Sequence, residues 1–165
     1  MSSQAPRHTP VIAELSGRVM VQSMRGRFEL ADVRPSFDLF LKLARDRPTE
    51  KLGTLSFTKD ARMPPSPDVA TTIAKWKAEV APFATATAYL IEGEGFGASF
   101  ARLALGSVLL VNRGHAREST FSRVEDAIAW LAGHLDLTPD EVRRLGLDLA
   151  RIRRGHDGLD ATRFA

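Results

Sequence analysis

Gly93, Gly95 and Gly97 are the first residues in this chain whose type and spacing could do chemistry. They follow a strand-like segment and precede an apolar, helix-like one. Free backbone amides cradle phosphate at such a junction. The spacing departs from the dinucleotide fingerprint, Glu92 and Glu94 would repel a pyrophosphate, and no acid is placed for a ribose. The competing reading is a tight turn that uses glycine for positive φ. Ser66 is the second candidate, within Pro64-Pro65-Ser66-Pro67-Asp68. Ser is a good N-cap, Pro suits the first helical position, and Asp favours the positive end of the helix dipole. A phosphate on Ser66 would be tolerated by the same amides and dipole, so the residue is also a candidate phosphosite.

Other chemistry finds less support. His8, His115, His134 and His156 are widely separated and form no metal-ligand spacing, so no metal site is expected. No Gly-x-Ser-x-Gly elbow is present, and Ser99 falls inside a predicted helix. Asp60 and Arg62 follow a predicted strand, where α/β proteins often place function, but a solvated loop is the better default. No acid, base and nucleophile converge. The expectation is a non-enzyme without cofactor.

The elements that would carry these residues follow from the apolar pattern. The chain has 165 residues, 44% of them apolar, so one domain with a real core is expected. Cys is absent, which rules out disulfides and Cys-ligated zinc. The N-terminus lacks the apolar core of a secretory signal. The apolar window from Phe100 to Val111 is too short to span a bilayer, and a cytoplasmic location is expected. The formal charge is +3, with Arg151, Arg153 and Arg154 as the densest basic group. They are predicted at a helix C-terminus, where they complement the dipole. No aromatic interleaving accompanies them, so nucleic acid is not an expected partner.

Val11–Leu15 and Arg18–Met24 read as an antiparallel hairpin about Ser16-Gly17. Pro35 suits a first helical turn, Phe37, Phe40, Leu41 and Ala44 continue the period, and Pro48 ends it. Lys51–Thr58 alternates as a strand. Val69, Ile73, Trp76 and Val80 predict a helix after Ser66, and Trp76 and Trp130 both read as core residues. Ala84–Ile91 resembles a buried central strand. Ala98–Val111 reads as a buried helix. A short strand from Glu118 then runs into Phe121-Ser-Arg-Val-Glu-Asp-Ala-Ile-Ala-Trp-Leu131, with Ser122 and Glu125 placed for a capping box. Thr138-Pro-Asp-Glu141 is a second capping box, and Gly155 is a natural C-cap for the helix that follows.

Strands alternating with helices predict an α/β fold: a mixed, mostly parallel sheet of 4–5 strands, opened by an N-terminal hairpin and covered by helices, plus a C-terminal helix. The expected organisation is a flexible tail over 1–9, an α/β domain over 10–136, and a C-terminal helix with a frayed tail over 137–165.

The opening hairpin, the repeated strand–helix units and the closing Phe121…Ala-x-x-Trp-Leu helix together resemble the STAS-like group. These proteins are related to the anti-sigma-factor antagonists and are often described as STAS/SEC14-like. The likeness covers roughly residues 10–135. It implies a small, non-enzymatic switch or adaptor of bacterial signalling. The antagonists carry a phosphorylatable Ser in an Asp-Ser-x-Gly context; this chain has none, and Ser66 is the nearest matching position.

The apolar stripe of Val142, Leu145, Leu149 and Ile152 is a further candidate site. Burying it would contribute about 6–10 kcal/mol before ordering costs, so it must be covered. Its cover is either the parent domain, or a partner protein or second copy of the chain. The expected function is therefore a regulatory or scaffolding protein-interaction module that presents a surface and self-associates through such a stripe. The alternative, which the resemblance implies through the lipid-binding branch of the same broad fold, is a carrier of a lipid or other apolar ligand, with Phe83, Phe96 and Phe100 as candidate lining.

Overall fold

The computed structural model describes residues 11–25, 29–59, 67–91 and 117–161. Its elements are β1 (Val11–Ser16), β2 (Val19–Arg25), α1 (Leu30–Asp46), β3 (Leu52–Lys59), α2 (Pro67–Val80), β4 (Ala84–Ile91), β5 (Arg117–Phe121), α3 (Val124–Leu135) and α4 (Pro139–Ala161). The strands form one five-stranded sheet in chain order, β1-β2-β3-β4-β5. β1 and β2 are antiparallel and all other neighbours are parallel, which is the α/β architecture read from the sequence.

The hairpin closes where Ser16 pairs with Val19, so its loop is Gly17-Arg18, one residue beyond the expected turn. Gly17 adopts φ +59°, which glycine reaches without a Cβ clash. Between β3 and β4 the register jumps from Leu52–Ala84 to Gly53–Ala86, leaving Thr85 as a bulge residue. β4 is an interior strand, but β3 is the middle one.

Alternation divides the sheet into two faces. One carries Val19, Val21, Leu55, Phe57, Ala86, Ala88 and Leu90, and packs under α3 and α4. Gly53 and the alanines let α3 lie close. A Cβ on Gly53 would stand 2.6 Å from Leu135 Cδ1 and 3.1 Å from the Ala86 carbonyl oxygen. The other face meets α1 through a smaller cluster of Met20, Phe40, Leu43, Ala44, Leu52 and Ala84.

Three helix boundaries differ from expectation. α1 starts at Leu30, with Pro35 inside it, because the Asp32 carboxylate accepts the Glu29 amide at 2.7 Å and caps an earlier turn. α3 starts at Val124 with Arg123 as N-cap and no side-chain cap, so the Ser122–Glu125 box does not form. Glu125 and Asp126 still place negative charge in its first turn. α4 continues through Gly155 to Ala161, so Arg151, Arg153 and Arg154 sit within the helix rather than at its end. Arg151 bridges to Glu14 at 2.6 Å, and Arg153 lies 5.1 Å from the centre of the Phe57 ring.

Thr138 and Glu141 do form their capping box: the carboxylate accepts the Thr138 amide at 2.8 Å, and the Glu141 amide donates to Oγ1 at 3.3 Å. Arg18 completes the junction. Its guanidinium donates twice to Glu141, at 2.9 and 3.1 Å, and to the Leu135 and Asp136 carbonyl oxygens at the end of α3, at 2.9 and 3.1 Å. One side chain on the hairpin thus satisfies a helix C-terminus and holds the acid that caps the next helix. The Arg18 bond holds the Glu141 carboxyl well below its usual range, at about 2.

Candidate functional site

The structure covers the predicted stripe from within. Leu145, Leu149 and Ile152 are buried in the cluster formed by the sheet and α3, and Val142 packs against it. The stripe therefore docks at home, and these residues offer no surface to a partner. Their helix shares a core with the sheet. Ser66, Gly93, Gly95, Gly97, Asp60, Arg62, Ser99, His8, His115, Phe96, Phe100 and the expected 98–111 helix lie outside the described residues. Among the described residues no group of three or more His, Asp or Glu is placed to hold a metal ion. No described helix is long and apolar enough to cross a membrane.

Two constellations emerge that the sequence pattern did not single out. The first is a groove of about 580 Å³ at the N-terminal rim of the parallel strands. That volume falls within the usual range for ligand pockets. Lys51, just before β3, and Arg117, the first residue of β5, supply its cations. Thr85 enters it because the β4 bulge turns that residue out of the regular alternation. The remaining wall is one face of α3, formed by Ala129, Trp130, Gly133 and His134.

The α3 face is built by helical spacing. Trp130, Gly133 and His134 stand three and four residues apart and so share a stripe. Ala127, Ile128, Leu131 and Leu135 form the separate, buried stripe. Trp130 is half-buried and packs against the edge of the main core, in partial agreement with its reading as core. Its ring lies 5.5 Å from Phe121 and 4.2 Å from the His134 ring.

Hydrogen bonding fixes the His134 tautomer. Nδ1 lies 2.8 Å from the Trp130 carbonyl oxygen, which can only accept, so Nδ1 carries the proton. Nε2 is left to accept from Arg117 Nη1 at 3.3 Å. Arg117 is thereby held at the groove by an imidazole. No carboxylate among the described residues pairs with it. Lys51 differs, since its ammonium meets Asp136 Oδ2 at 2.5 Å. Asp136 adopts φ 51° just past α3, and its bond to Lys51 lowers its carboxyl below the ordinary range.

The second constellation lies under α2. Lys77 Nζ donates to Glu118 of β5 at 3.3 Å and sits 5.2 Å from the centre of the Tyr89 ring on β4. Burial pushes the Tyr89 hydroxyl up, so it stays protonated at neutral pH. A protonated phenol between an ammonium and a carboxylate satisfies both. The trio ties α2 to two strands.

Trp76 is also half-buried, 5.4 Å from Phe37 and 5.1 Å from the Arg34 guanidinium, and joins α1 to α2. Phe83, a candidate lining residue for an apolar ligand, is 50% exposed. Comparison with family models, with curated proteins and with solved structures finds no match for this chain.

Proposed function

We propose that this protein is a non-enzymatic interaction module, regulatory or scaffolding in kind, that engages another protein through the groove at α3, β4 and β5. The observation that carries this reading is Arg117. It is an exposed guanidinium at the mouth of a concave site, beside a half-buried Trp, with no acid among the described residues to neutralise it. Arg and Trp are the residue types that most often dominate protein–protein binding. The module proposed is a STAS-like adaptor of the cytoplasm; what supports its STAS-like part is the order hairpin, strand–helix units, then a closing strand and helix.

The test is recovery of a stoichiometric partner on the immobilised full chain, quantified by intact mass. Arg117→Glu should abolish recovery, because it reverses the charge at the groove without touching the core. Leu147→Glu should retain it, because Leu147 is 65% exposed on the outer side of α4, away from the groove. A partner held equally by Arg117→Glu would move the interface elsewhere and overturn the reading.

A further inference from the structure

Two features of the groove restrict what can occupy it. The first is charge. Lys51 is already matched by Asp136, which leaves Arg117 as the cation without a carboxylate among the described residues. One guanidinium fork matches one carboxylate in geometry and charge. His134 lies in the last turn of α3, at the negative end of that helix dipole, a poor place for a doubly charged phosphate. A nucleic-acid backbone would need a track of cations, and the groove has no such track.

The second feature is Gly133. It sits inside α3, where glycine is less favourable than alanine. Packing among the described residues gives no reason for it: a Cβ there would meet nothing within 4 Å. Gly133 nevertheless lines the groove, between Trp130 and His134 in the helical stripe. A missing side chain lets an occupant run close to the helix backbone, with the Trp130 ring as an apolar floor.

Resting on the reading of the groove as a protein-binding site, we propose that its occupant is an acidic peptide segment of the partner. One Asp or Glu carboxylate takes the Arg117 fork, and the neighbouring residues cross Gly133 with an apolar side chain on Trp130. Specificity then comes from one charged contact beside a flat apolar surface.

The probe is a short capped peptide of alternating Glu and Leu, titrated into the full chain by calorimetry beside its Gln–Leu counterpart and beside inorganic phosphate. The Glu–Leu peptide should bind and the Gln–Leu peptide should bind at least about tenfold more weakly, which is one charge-assisted pair. Arg117→Ala should erase that difference. Gly133→Ala carries the sharper signature: it should raise Tm by about 2 °C through helix propensity while weakening the peptide. Gly155→Ala, also in open space, should raise Tm and leave the peptide unaffected. Equal binding of the two peptides, indifference to Arg117→Ala, or phosphate binding as tightly as the Glu–Leu peptide would each overturn the proposal. Partner recovery lost in Arg117→Glu with no acidic-peptide preference would overturn this inference and leave the interaction reading standing.

Discussion

The two faces of the sheet are both covered, yet they are built from different chemistry. Under α3 and α4 the strands offer Val19, Val21, Leu55, Phe57, Ala86, Ala88 and Leu90, all at 2% exposure or less. Under α1 and α2 they offer Gln22, Thr54, Ser56, Thr87 and Tyr89 beside the smaller apolar cluster. Gln22 Nε2 donates to Ser36 Oγ at 3.0 Å, and Thr54 donates to Thr87 at 3.0 Å. An apolar face stabilises in proportion to the area it removes from water. A polar face contributes little net energy when paired and costs much when one partner is lost. One face therefore supplies the larger apolar core, and the other combines the smaller cluster around Met20, Leu52 and Ala84 with polar pairs that fix which helix position sits over which strand.

The largest effect should come from the apolar face. Leu149→Ala removes a side chain 1% exposed between α4 and the sheet and leaves a cavity. The expected loss is about 2–5 kcal/mol in denaturant unfolding. A loss under about 1 kcal/mol would mean that α4 is not part of the common core. Gly53→Ala should cost about 1–3 kcal/mol by overpacking, because the new methyl meets Leu135 and the Ala86 carbonyl.

Next in size is the polar clamp that borders this apolar face. Arg18→Ala removes the guanidinium from the Glu141 carboxylate and from two carbonyl oxygens at the α3–α4 junction, with an expected cost of about 2 kcal/mol. The pH dependence carries a definite sign. Glu141 titrates at about 2 in the folded protein, against 4.5 ordinarily. The Arg18–Glu141 contribution is therefore complete above pH 4.5 and is lost as pH falls toward about 2. Arg18→Ala should flatten the acid limb of a stability–pH curve over that window. An unchanged limb would place the acid sensitivity elsewhere.

The polar face yields a smaller, conditional effect. Gln22→Ala should cost about 1–2 kcal/mol by leaving the Ser36 hydroxyl with one partner fewer. Gln22→Met with Ser36→Ala should recover most of the loss, because both ends are then apolar and similar in size. Failure of that rescue in a double-mutant cycle would show that the face contributes energy as well as register.

The same contrast explains how much of the molecule was legible in the sequence. Strand alternation, the hairpin and the Thr138–Glu141 box rest on near neighbours in the chain, and each appears in the structure. The α1 start was missed because an acidic residue caps it through Asp32, where a hydroxyl is the usual signal. The stripe from Val142 to Ile152 was visible as apolar, but a helical period carries no information about whether the covering surface belongs to the same chain. The groove was illegible for a different reason. It gathers Lys51, Thr85 and Arg117 from three separate strand starts, and Thr85 reaches it only through a bulge. The one available signal was the Trp130, Gly133, His134 spacing, a second stripe beside the apolar one with a glycine inside it.

The smallest expected effect tests how tightly the second layer over the apolar face is packed. Gly146 lies where α4 crosses α3, and an added Cβ would stand 4.0 Å from Ile128 Cδ1, an ordinary contact distance. Gly146→Ala should then gain helix propensity without strain, raising stability by about 0.5–1 kcal/mol. A destabilised Gly146→Ala would mean that the two helices approach more closely than this spacing. The apolar face would then owe its exclusion of water to helix–helix contact as well as to the strands beneath it.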